Sequence, residues 1–208
     1  FAVGLPIAWA LSRPGWRGRT FLDVAVNVPL ALPPTVVGYY LLLLIGREGP
    51  VGYLTRSVLG TTLIFTPTAA VLASAAVCLP LFVQAARNAL EEVPPETYEA
   101  AQIDGAGRAQ AFRYLFLPLA WPGIWTGVLL AYSRSLGEFG ATLMVAGNIP
   151  GKTQTMALAI YSAVQAGQDT TAHLLSLLLT ALAGLTIWIG LWWRNPNRTR
   201  HVSREAKS

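Results

Sequence analysis

Glu99-Ala100-Ala101-Gln102-Ile103-Asp104-Gly105, running on through Arg108 and Arg113 to Leu115-Phe116-Leu117-Pro118, is a polar island between apolar runs. No charged residue occurs from Ser57 to Ala86, and none from Tyr114 to Ser133. A helix needs about 20 mostly apolar residues to cross a bilayer core, and both runs reach that length. The island is therefore the water-facing hairpin between two membrane crossings.

Composition agrees with that reading. The 208-residue chain is 53% hydrophobic and 12% charged, which departs from soluble domains and fits an integral membrane protein; a soluble all-helical core is the competing class. No alternating pattern of barrel strands is visible, so the expected fold is all-α. The net charge of +5 does not point to nucleic acid, because the basic residues divide by side. Residues 12–23, 87–113 and 194–208 hold eleven of the fifteen Lys and Arg; Arg47, Arg56 and Lys152 fall on the other side, and Arg134 lies within a span. The positive-inside rule then puts the island and the C-terminus in the cytoplasm. Cys78 is the single cysteine, so no disulfide forms within the chain; it reads as packing.

Locally, Pro94-Pro95 stops the preceding helix, and Pro95 suits the first turn of a new one, with Glu96 and Glu99 near its positive end. Gly105 and Gly107 break that helix, and Arg108 to Tyr114 start a second short one. The expected shape is an elbow whose Ala100 and Ala101 leave a low surface for another protein to approach.

The order Glu-Ala-Ala, three residues, Gly, nine residues, a large aliphatic, one residue, Leu-Pro resembles the cytoplasmic loop signature of ABC importer permeases. Leu115 stands where that family usually has Ile. Within the family, Ser135-Leu136-Gly137-Glu138-Phe139-Gly140-Ala141-Thr142, Gly147-Asn148-Ile149-Pro150-Gly151 and Leu32-Pro33-Pro34-Thr35-Val36-Val37-Gly38-Tyr39 look like the molybdate branch. Related sulfate permeases carry a similar Gly-Glu-aromatic-Gly segment. Together these motifs cover the chain from about Arg13 to Asp169.

The resemblance implies a bacterial inner-membrane permease built as a single domain over 1–208, with a coupling loop at 88–118 and a basic tail at 194–208. It implies a homodimer in membrane lipid, two ATP-binding cassette subunits carrying the ATP and Mg, and an extracytoplasmic oxyanion-binding protein. The coupling positions would be Glu99, Ala100, Ala101, Asp104, Gly105, Leu117 and Pro118. Sulfate or tungstate is the alternative cargo, and a non-transporting membrane scaffold is the alternative class.

Taken in order, Phe1 to Leu11 is apolar but too short to span, and the expectation is a truncated first span rather than a signal peptide. Arg13 to Arg19 reads as a turn. Val24 to Ile45 is the first complete span, bent by Pro29, Pro33 and Pro34; Pro33 and Pro34 mark either a pathway-lining kink or a packing kink. Gly46 to Gly60 reads as an outer loop. Leu63 to Ala86 spans next, then a segment from Leu119 with Pro122, Gly123 and Gly127, where Trp121 and Trp125 serve as interface anchors.

That segment continues through Arg134 to Glu138. An arginine facing lipid costs about 2.5–3.5 kcal/mol at the worst depth, so Arg134 must face protein or water. Either it pairs with Glu138 one turn on, or it gives the pathway a positive wall for an oxyanion, with Glu138 orienting it. Phe139 to Gly147 ends the helix, residues 155–166 form a short outer or re-entrant helix, and Ala172 to Trp193 is the last span, making about five spans with the first truncated. No glycine-rich phosphate loop followed by Lys-Ser or Lys-Thr is present, so ATP hydrolysis is not expected on this chain. His173 and His201 are isolated, Glu91, Glu92, Glu96 and Glu99 belong to a solvated loop, and no catalytic or metal-binding set is expected.

Overall fold

The computed structural model describes residues 1–13, 15–94, 96–97, 105 and 107–193. Among them it is helical throughout: α1 (Gly4–Ser12), α2 (Arg19–Ala31), α3 (Pro34–Ile45), α4 (Pro50–Leu59), α5 (Pro67–Glu91), α6 (Arg108–Ala111), a π-helical turn (Phe112–Phe116), α7 (Leu117–Leu136), α8 (Gly140–Ala146), α9 (Met156–Gln165) and α10 (Asp169–Trp193). Three helices are long and apolar enough to cross a membrane, Pro67–Glu91, Ala109–Leu136 and Asp169–Gly190, and a fourth crossing arises if the bent pair α2 and α3 counts as one.

Helix α5 is the axis. Thr66 starts it, its side chain accepting from the Ala69 N–H at 3.2 Å, with Pro67 in the first turn where a missing donor does no harm. Its far half, Ala69, Ala73 and Val77, packs with Val37 of α3 and Ala141 and Val145 of α8. Its elbow half, Phe82, Val83, Ala86 and Leu90, packs with Leu5, Ala8 and Leu11 of α1 and Ala120 and Ile124 of α7. Gly123 and Gly127 let α7 lie directly on α5: a Cβ at Gly123 would sit 2.5 Å from the Ala89 Cβ, and one at Gly127 2.9 Å from that of Ala85. Such contact between small residues is what holds helices together where lipid removes the hydrophobic drive.

Three expectations are corrected. The first complete span is not a kinked helix from Val24 to Ile45 but two helices meeting at 119°. The residue before a proline is pushed out of the helical region, and here Leu32 and Pro33 both precede one, taking ψ of 146° and 137°. The outer loop contains α4, because Gly49-Pro50 and Gly60 are its start and its left-handed cap at φ +66°. The crossing expected from Leu119 begins at Ala109. Pro118 would deny a hydrogen bond four residues back, and the wide π-helical turn before it lets Leu117 N–H reach the Phe112 carbonyl instead.

Candidate functional site

At the elbow, Glu96 and Thr97 are helical as the prolines predict, and Thr97 N–H bonds the Pro94 carbonyl at 3.1 Å. Glu99, Ala100, Ala101 and Asp104 lie outside the described residues. Gly105 has φ +80°, the left-handed region that glycine adopts without strain, with open space where a Cβ would point. Gly107 then caps α6: its N–H bonds Gln110 Oε1 at 3.0 Å and its carbonyl accepts from Ala111 N–H at 2.9 Å, half of a capping box. Leu117 is half-buried and Pro118 exposed where α7 begins. Behind them Trp9 of α1 sits against Phe112 and Phe116, with ring centroids 4.4 and 5.1 Å away, and ties the elbow's exit to the bundle.

The second cluster lies where α7 ends, level with the middle of α5. Helix α7 stops at Leu136, and Glu138 belongs to the turn that sends the chain back into α8 rather than to the span, which corrects the continuous helix expected there. Glu138 Oε1 accepts the Ala141 N–H at 2.9 Å, so the carboxylate caps α8. Its other oxygen meets Arg134 Nη1 at 3.3 Å. The pair expected at i,i+4 is therefore present, but it crosses a helix end. The side chains differ: Glu138 is 1% exposed and Arg134 40%. One charge is sunk in protein and holds a guanidinium that remains open on its other side.

Helix α8 is only seven residues, five of them buried, lodged between α3 and α5. Its polar groups are paired, as depth in a membrane requires: Thr142 Oγ1 donates to the Phe139 carbonyl at 2.9 Å, and Gly147 N–H to that of Leu143 at 3.1 Å. Gly140 lies against Thr35 and Pro34, a Cβ there falling 2.9 Å from Thr35 Cγ2 and 3.4 Å from Pro34 Cβ. The structure thus brings the Pro33-Pro34 bend and the Arg134–Glu138 pair together around Gly140. Leu117 and Pro118 stand at the opposite end of α7.

Sequence reasoning missed a third polar cluster, in which Arg87 Nη1 meets Asp23 Oδ2 at 2.8 Å and Arg19 Nη2 meets Glu91 Oε1 at 3.1 Å. Arg19, Asp23 and Asn27 recur at four-residue spacing on α2, and that period was the available signal.

With this geometry in hand, comparison with known proteins is specific. The family described as binding-protein-dependent transport system inner membrane component matches residues 2–194. The chain is similar to the molybdenum transport system permease protein ModB of Escherichia coli (strain K12), at 42% identity over 198 residues, 95% of this chain and 86% of that one. It is similar also to the putative molybdenum transport system permease protein YvgM of Bacillus subtilis (strain 168), at 45% over 165 residues, 79% and 72% of the two chains. Among solved structures, an inward-facing MetNI methionine ABC transporter shares the fold, with a TM-score of 0.68 at 22% identity over 91% of this chain and 83% of that one.

Proposed function

Because the chain belongs to the ABC importer permeases, the binding-protein-dependent inner membrane components, we propose that it carries molybdate through the cytoplasmic membrane, driven by ATP hydrolysed on separate subunits. Two copies form the pathway in this reading. Two ATP-binding subunits, with the ATP and Mg, dock against Glu99, Ala100, Ala101, Asp104 and Gly105, and an extracytoplasmic protein delivers the ion at the α8 end. The elbow and the C-terminal tail then face the cytoplasm, as the distribution of basic residues favours.

The observation that carries the choice of cargo class is Arg134. A guanidinium near the end of a membrane-crossing helix, 40% exposed while bonded to a buried carboxylate, is too costly to face lipid and must look into protein or water. Glu138 fixes its direction and the unpaired side is left to attract an oxyanion, while the Pro33-Pro34 bend shapes the wall beside it. Motion comes from the elbow: closure of the ATPase pair moves both elbows together and swings the spans between inward-open and outward-open arrangements.

The test is uptake into proteoliposomes containing the whole complex, with molybdate, tungstate and sulfate in competition. Arg134→Ala, checked for normal insertion, is expected to lower molybdate uptake at least tenfold. An Arg134→Ala complex that imports molybdate at the parental rate removes Arg134 from the pathway, and preferential import of sulfate replaces the cargo.

A further inference from the structure

Helix α2 is fastened to the bundle by polar contacts more than by apolar burial. Of its thirteen residues only Val26 is buried, and Phe21, Val24, Val28 and Leu30 stand exposed. Its other face carries Arg19, Asp23 and Asn27, which meet Gln84, Arg87 and Glu91 on the last two turns of α5. Glu91 Oε1 accepts from Arg19 Nη2 at 3.1 Å and from Arg87 Nε at 2.9 Å, and Arg87 Nη1 reaches Asp23 Oδ2 at 2.8 Å. Asn27 Nδ2 donates to the Asp23 carbonyl and to Asp23 Oδ1, both at 2.8 Å, and Gln84 Nε2 donates to Asn27 Oδ1. The result is one connected ladder from Arg19 to Gln84, starting at the elbow and running two turns along α2.

Two further features distinguish this from a fixed brace. Both ends of α2 are turning points: Gly15 takes φ +87° in the turn before it, and the extended Leu32-Pro33 pair sets it at 119° to α3. The α5 side of the ladder is also the last stretch of helix before the elbow, since α5 ends at Glu91 and the chain passes through Glu92 into Pro94. Whatever moves the elbow pulls first on Glu91 and Arg87. A close-packed apolar seam resists separation, because its atoms lose their partners outright. Half-exposed ion pairs and amide bonds part more easily, since water replaces each partner.

We propose that α2 is the gate arm on the elbow side of the translocation pathway, and that Asp23, Asn27, Gln84 and Arg87 are positioning residues that latch it to α5 and release it when the elbow moves. The proposal rests on the permease reading. An arm with a hinge at each end and a polar latch beside the driven segment opens and closes while unpacking little apolar surface, because α2 gives the elbow-half core only Val26 and the partly buried Leu22.

The experiment uses the complete transport complex with Asn27→Cys and Gln84→Cys in a Cys78→Ala background, bridged by a short methanethiosulfonate reagent that reductant cleaves. Bridging is expected to cut ATP-driven oxyanion uptake at least tenfold and reductant to restore it, with the ATPase subunits remaining bound throughout. The bridge is also expected to form several-fold more slowly when a non-hydrolysable ATP analogue holds the ATPase pair closed. The gate is overturned if the bridged complex imports at the unbridged rate, if either single-cysteine variant loses as much uptake with the reagent, or if bridging proceeds equally fast in both nucleotide states. Failure of the permease reading would look different: the parental complex, with Asn27 and Gln84 in place, would import no oxyanion.

Discussion

Gly38→Leu is expected to abolish accumulation of folded protein in the membrane. Helices α3 and α8 meet where Gly38 faces Ala141, and a Cβ at Gly38 would lie 2.7 Å from the Ala141 Cα and 2.8 Å from the Met144 Cβ. The first of those atoms is backbone, so no side-chain rotation relieves the overlap. Forcing atoms into a packed core costs about 1–3 kcal/mol when neighbours yield, and a whole isobutyl group against backbone exceeds that. The alternative is for α3 to part from α8, which uncovers Val37, Ala141 and Val145 of the far-end core. Expression of the variant, followed by detergent extraction and size exclusion, checks this. Even Gly38→Ala should reduce the yield several-fold, and parental yield from Gly38→Leu would mean that α3 and α8 do not touch.

Glu138→Ala follows as the second large effect, for electrostatic reasons. The carboxylate performs two tasks at once: it caps α8 through Ala141 N–H at 2.9 Å and neutralises Arg134 at 3.3 Å. Removing one partner of a fully buried ion pair costs about 3–5 kcal/mol. Arg134 is partly exposed, so the expected loss is about 2–3 kcal/mol, in line with hydrogen bonds to charged groups. Glu138→Gln keeps an oxygen for Ala141 N–H and should recover roughly half of that, an apportionment anchored to the net worth of one such bond. Thermal unfolding of the purified protein measures both. An unchanged midpoint for Glu138→Ala would show that the buried carboxylate contributes nothing to holding α8.

Much of this was legible in the sequence, and the reasons are physical. Charge-free runs of membrane length located α5 and α7, and the short helix starting at Arg108 followed from the glycine just before it. The Arg134–Glu138 pair was visible because its members are four residues apart. What stayed hidden depended on long-range geometry. Prolines announce a bend but not its angle, so the 119° break between α2 and α3 was read as a kink. Gly49-Pro50 and Gly60 serve equally as loop residues and as the two ends of a helix, which concealed α4. The ladder joins residues 64 and 72 positions apart, and no local pattern reveals which charges on α2 will meet which on α5.

The coupling positions and the pore residues have meaning only if this chain moves an oxyanion at the expense of ATP hydrolysed elsewhere. The direct measurement is labelled molybdate uptake by proteoliposomes containing this chain and its delivery protein, with and without the ATP-binding subunits. Uptake that requires those subunits and trapped ATP, and that is lost when Gly105→Val stiffens the elbow while the subunits stay bound, is the predicted result. Uptake at the same rate without them, or undiminished transport by the Gly105→Val complex, would contradict the account.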